Sequence, residues 1–349
     1  MKKNIFALLV LLAAVATGAM AQTTYKVSVK EGTEDASNWQ GKAGEGEYQA
    51  LPLEGVAAGT AVTVKYFGTK KVESVKAVKK APAYAANQYN EASWDGTKVT
   101  FTKQTATSVT AVANSDAAVT WGDGWYTVSG NVTITGNVTL TADAHLILQD
   151  GATLTITGQL DCKTNGKNLY IYGQKKGDGK LNVTNNGANA INSTTGYRID
   201  IHGGEVTAAA TGNNGSGLNT GYLAVYGGKL TATSGGGNGI NFLNTFNVYG
   251  GEVEATSNAT SSSSALFGIR SGGGSSSQIL TVYGGKVTAT GNGKEKNGRY
   301  GSGFGCYVMS GTSGIKFYFS EDGTTWDEGT SYASATDVRN IQKRYAKAE

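Results

Sequence analysis

The chain has 349 residues, with 51 Gly and 2 Pro, and that glycine share is about twice the usual one. So little proline excludes collagen, and 39% hydrophobic against 16% charged residues excludes extensive disorder. Thirty basic residues stand against 26 acidic ones, a balance that argues against a nucleic-acid partner.

Residues 1–21 read as a secretory signal. Lys2 and Lys3 supply the charged start, Ile5 to Ala16 the apolar run, and Ala19-Met20-Ala21 the small-residue cleavage site. The apolar run is shorter than the roughly 20 residues of a spanning helix, and no later segment is apolar enough to cross a bilayer. The expectation is an exported chain, extracellular, at the cell surface or periplasmic, with no transmembrane segment.

Residues 22–82 match no later repeat. Tyr25–Val29, Ala61–Tyr66 and Val72–Val78 alternate apolar with polar, which predicts a small antiparallel β domain. After Lys79-Lys80-Ala81-Pro82, the Ala-, Asn- and Tyr-containing stretch reads as a linker over 83–95.

From residue 96 to 320 an internal repeat takes over. Its phrase is Ile201-His202-Gly203-Gly204-Glu205-Val206, Val225-Tyr226-Gly227-Gly228-Lys229-Leu230, Val248-Tyr249-Gly250-Gly251-Glu252-Val253 and Val282-Tyr283-Gly284-Gly285-Lys286-Val287. The spacing, about 24 residues with one longer step, means a solenoid. Apolar residues alternate on both sides of each Gly pair, and a third apolar position follows at Ile191, Leu218, Ile240 and Ile269. Three short strands per turn without a helical period describe a parallel β-helix of about seven rungs. Weaker rungs run back to Val132–Ile134.

Two columns support that stacking. Lys180, Glu205, Lys229, Glu252 and Lys286 alternate in sign from rung to rung, and Asn192, Asn219 and Asn241 recur after the third strand. Opposite charges on neighbouring strands are favourable, and asparagine amides can bond along a stack. Cys162 and Cys306 fall about five rungs apart, too far for a disulfide. Residues 321–349 read as a C-terminal cap with a short helix, from the capping-box pattern Ser334-Ala335-Thr336-Asp337 and the apolar positions Val338, Ile341 and Tyr345.

The run Tyr126–Gly130, Leu146–Leu154, Leu169–Gly173 and the Gly-Gly phrases resemble a broad group of uncharacterised secreted bacterial surface proteins with a right-handed parallel β-helix. Some relatives of that group are described as carbohydrate-binding-domain-containing proteins. The resemblance implies fold and exposure at a surface, and it carries across no catalytic residue and no metal site.

Chemistry is sparse in the residues themselves. Arg198, Asp200 and His202 share the outward face of one strand, a trio able to orient and transfer a proton. They are the catalytic alternative, that of a polysaccharide lyase or hydrolase. Tyr172, His202, Tyr226, Tyr249 and Tyr283 stand immediately before successive turns and form an aromatic stripe at rung spacing. Such a stripe offers rings to the apolar faces of sugars and hydroxyls to their hydroxyls, or it packs as a ladder. Arg270 breaks the asparagine column beside an insertion, Ser257 to Gln278, and joins the ligand-binding candidates. No cofactor and no metal ligand set emerges. The reading is a non-enzymatic surface protein that binds glycan, with a protein-binding adhesin or structural element as a further alternative.

Overall fold

The computed structural model describes residues 10–11, 24–28, 35–57, 61–68, 84–163, 166–193, 196–259, 265–272, 277–296, 299–306, 308–337, 341 and 343–349. The chain divides into two units, residues 1–82 and 83–349. The expected strand at Val72–Val78 and most of residues 1–21 lie outside the described residues.

The first unit is antiparallel. Ala61–Tyr66 pairs with Trp39–Ala43 on one side and with Val10–Leu11 on the other, and Thr24–Val27 pairs with Leu53–Ala57. Leu53, Val56, Val62 and Val64 are its buried core. Alternation in Ala61–Tyr66 sends Val62 and Val64 inward because successive side chains of a strand point to opposite faces.

The second unit is a parallel β-helix. Three sheets, of eight, ten and nine strands, run along it. A representative turn contributes Leu218–Thr220 to the first sheet, Tyr222–Val225 to the second and Lys229–Ser234 to the third. Seven such turns, beginning at Val119–Trp121, add one strand to each sheet, as the repeat predicts. Inside, identical positions stack: Leu146, Ile171, Ile201, Val225, Val248 and Val282 are successive register partners in the ten-stranded sheet and are fully buried. Each such side chain contributes about 1.5–3 kcal/mol through burial.

The Gly-Gly phrase has a steric cause at each of its two places. The second glycine takes the left-handed conformation, φ 84° at Gly204 and 77° at Gly251, which side chains disfavour. A Cβ on Gly251 would stand 2.6 Å from the carbonyl oxygen of Gly228 one turn earlier. The first glycine admits close neighbours, since a Cβ on Gly227 would meet the Phe101 ring at 2.7 Å.

Both predicted columns form. Lys180, Glu205, Lys229, Glu252 and Lys286 are register partners in order, with Lys180–Glu205 at 2.7 Å and Lys229–Glu252 at 3.4 Å. The asparagine amides bond up the stack, Asn219 donating to Asn192 at 3.0 Å and Asn241 to Asn219 at 2.7 Å. Cys162 and Cys306 are free and buried.

Two expectations are corrected. The linker over 83–95 is instead the first arm of a β-hairpin, Gln88–Trp94 paired antiparallel with Val99–Thr105 around Asp95 and Gly96. The Asp95 carboxylate accepts from the Thr97 and Lys98 amides, and Gly96 supplies φ 99°, the chemistry of an Asp-Gly turn. Among its described residues the C-terminal cap is closed by strands and not by a helix, and Val338 of the expected helix lies outside them. Thr336–Asp337 pairs antiparallel with Val308–Met309, and Tyr345–Ala348 inserts between Lys286–Thr290 and Phe317–Ser320. The open edge of a parallel stack presents unpaired amides and carbonyls, and a returning strand satisfies them where a helix would not.

Candidate functional site

The aromatic stripe exists as a ladder on the outward face of the ten-stranded sheet. Tyr172, His202, Tyr226, Tyr249 and Tyr283 stack at 4.7–4.9 Å with interplanar angles of 11–20°. At that spacing the faces between neighbouring rings are filled by the rings themselves, so the ladder presents edges and hydroxyls.

The hairpin lies along this ladder. Tyr89 packs on Tyr172 at 4.6 Å and Trp94 on Tyr249 and Tyr283 at 5.5 and 5.4 Å. From Tyr89 to Trp94 an extended chain rises about 17 Å, close to the height of three to four rungs. Between these anchors His202 meets Ala92. At the near end Gln174, itself buried, donates to the carbonyls of Ala85 and Gln88, both at 2.8 Å. Tyr172 and His202 are consequently buried, whereas Tyr226, Tyr249 and Tyr283 keep partial exposure.

The trio of Arg198, Asp200 and His202 is brought together in part. Arg198 Nε pairs with Asp200 at 3.1 Å. Burial pushes the Asp200 carboxyl up to about 6, against the opposing pull of Arg198. Burial also holds the His202 imidazole down at about 4, although the hydrogen bond to Ala92 acts upward. The Nδ1 atom of His202 is thus engaged by the hairpin, and the trio is an ion pair beside a packed neutral histidine. Among the described residues no group of three His, Cys, Asp or Glu side chains is arranged to hold a metal ion. Arg270 stacks in register after Asn241, with its guanidinium 6.0 Å from the centre of the Phe267 ring.

Beside the ladder runs a second outward row, which continues the Asp200 column through Tyr170 back to His145 and Trp125. Its register partners are Trp125, His145, Tyr170, Asp200, Ala224, Asn247 and Thr281. Trp125 stacks on His145 at 4.3 Å, and His145 on Tyr170 at 4.7 Å. The two rows touch through polar tips: His145 Nδ1 lies 3.2 Å from the Tyr172 hydroxyl, and Asn247 donates to the Tyr249 hydroxyl at 3.4 Å. Burial lowers the His145 pKa, opposed by Asp143, Asp123 and, from the hairpin, Glu91. The signal in the sequence was positional, since Trp125, His145 and Tyr170 each stand two residues before the place that becomes Tyr172.

A cavity of about 250 Å³ opens near the first rung, lined by Val112, Val119, Trp121, Tyr126 and Ile134 among others. No carboxylate, histidine or basic side chain lines it, so it offers no acid–base chemistry. No family model, no curated protein and no solved structure matches the chain.

Proposed function

We propose that the protein is an exported, non-enzymatic β-helix that binds carbohydrate on the outward face of its ten-stranded sheet. The supporting observation is the row Trp125, His145, Tyr170, Asp200, Ala224 and Asn247, which sets three stacked rings and, beyond them, a carboxylate and an amide along one line of rungs. Sugars present apolar patches and hydroxyl edges, and the ring edges of that stack, with the carboxylate and amide beyond it, offer contacts to both. The other outward columns, such as Lys180 to Lys286, carry charges that pair with each other. Export rests on the signal-like residues 1–21.

A glycan array probed with the purified chain tests this reading. Retention of a defined set of glycans, reduced by Trp125→Ala, is the expected result. Uniform background across the array contradicts it.

One observation favours an enzyme instead, the Asp200 carboxyl raised to about 6, within the range of a general acid. Hydrolysis or elimination by that acid would release reducing ends or unsaturated products from the retained glycans, and Asp200→Asn would abolish the release. Retention of a protein ligand with no glycan retained would favour the adhesin.

A further inference from the structure

We infer that Tyr197 and Tyr222, together with Arg198, form the principal sugar subsite, and that it takes a neutral sugar unit. This rests on the carbohydrate-binding reading above and deepens it. Four large hydrophobic residues are exposed among those described, and two of them are Tyr197 at 36% and Tyr222 at 38%. They are neighbours across one rung step: the Tyr222 amide donates to the Tyr197 carbonyl at 3.0 Å, and Tyr222 is the register partner of Arg198. Every ring of the adjoining ladder has a stacking partner, whereas neither of these two rings stacks on another aromatic among the described residues.

The corner is built rather than loose. Gly166, at φ 62°, lies so close under Tyr197 that a Cβ there would meet the ring at 2.4 Å, so the absence of a side chain seats the tyrosine. Asn168 accepts from the Arg198 amide at 3.0 Å and donates twice to Asp143, at 2.9 and 2.8 Å. Arg198 spends its Nε on Asp200 at 3.1 Å while its side chain stays 47% exposed. The guanidinium is a planar donor fork on the strand position in register with Tyr222, suited to adjacent hydroxyls.

Charge decides the ligand class. The turn under Tyr197 carries Lys163 and Lys167 with Asp161, and Arg198 pairs with Asp200 near Asp143, three cations against three carboxylates. A uronate or sulfated sugar would find no net positive field there, whereas an uncharged pyranose loses nothing by the balance.

The test is calorimetric titration of the full chain with the tightest neutral glycan from the array, alongside a uronate-containing counterpart of the same length. Tyr222→Ala and Tyr197→Ala are expected to weaken binding at least tenfold, and Tyr222→Trp and the control Lys286→Ala, on the nine-stranded sheet, to keep it within about twofold. Both tyrosines are exposed, so unchanged melting curves exclude misfolding as the cause. Wild-type binding that survives both alanine variants overturns the subsite while leaving the carbohydrate reading in place. Tighter binding of the uronate, falling steeply with salt, overturns the neutral class. A wild-type chain that binds no glycan overturns both the subsite and the reading beneath it.

Discussion

His202 and Ala92 are 110 residues apart in the chain, and the histidine Nδ1 lies 3.2 Å from the Ala92 amide nitrogen. The ring either accepts from that amide or donates to the Ala92 carbonyl at 3.1 Å, according to its tautomer. The contact ties the hairpin to the middle of the ladder, and it makes the hairpin part of the solenoid's outer wall.

Two titrations at this wall oppose each other. His202 is held at about 4 against an ordinary 6.5, so below pH 6.5 the unfolded chain binds a proton that the folded one refuses. Its contribution is complete above pH 6.5 and is lost as pH falls toward 4. Asp200, raised from 3.8 to about 6, does the reverse: its contribution is complete below pH 3.8 and is lost as pH rises through 6. Asp200→Asn removes the second effect. That variant is expected to gain stability between pH 4 and 6.5 by roughly 3 kcal/mol more than the parent over the same interval. Denaturant midpoints measured at half-unit steps of pH check this, and identical profiles would refute it.

Hairpin docking and solenoid integrity are separable. Gly251→Ala places a side chain at φ 77° and a Cβ 2.6 Å from a backbone oxygen that cannot move aside. It should cost at least about 2 kcal/mol, visible as a lower melting temperature of the whole β-helix. Gly227→Ala instead meets the Phe101 ring at 2.7 Å, a side chain 54% exposed and free to swing. Its expected signature is faster hydrogen exchange at the amides of Gln88–Thr105 with the rung strands unchanged.

Lys229→Glu should destabilise more than Lys294→Glu. Lys229 lies between Glu205 and Glu252 in register and also reaches Glu254 at 3.0 Å. The exchange puts three acids on consecutive rungs. The groups are well over a third exposed, so the loss should not exceed about 1–2 kcal/mol, and it should shrink in 1 M salt. Equal melting temperatures for the two variants would contradict the charge ladder.

Both cysteines are buried, and burial pushes both thiols up from their ordinary range. A thiol reagent should therefore find none reactive in the native chain and two after unfolding in denaturant without reductant. A single fast-reacting native thiol would show that one end of the core is open.

The repeat was legible because each rung obeys the same local rule. Apolar alternation, glycine pairs and the two polar columns recur at fixed offsets, so the repeat alone assigns Lys229 and Asn219 their columns. The hairpin was not legible in this way, as it occurs once and repeats nothing. Its Asp95-Gly96 pair is a turn signal, but the preceding Ala- and Asn-containing stretch has the composition of a linker. What the hairpin covers is a long-range fact, set by Tyr89 finding Trp125 and Tyr172 and by Trp94 finding Tyr249 and Tyr283, and composition is silent on it. The cap failed for a related reason. Ser334–Asp337 has helix-starting chemistry, yet the unpaired edge at Val308–Met309 and Lys286–Thr290 takes both closing segments as strands, and tertiary pairing outweighs a local capping preference.

Hydroxyl-radical footprinting of the chain with and without its tightest glycan tests the proposed binding face most directly, since it reads every aromatic at once. The account predicts glycan protection at Tyr197 and Tyr222, with a smaller effect at Tyr170, and no change at Tyr172, which the hairpin already covers. Protection confined to the Lys180–Lys286 face, or at Arg270 alone, would contradict it.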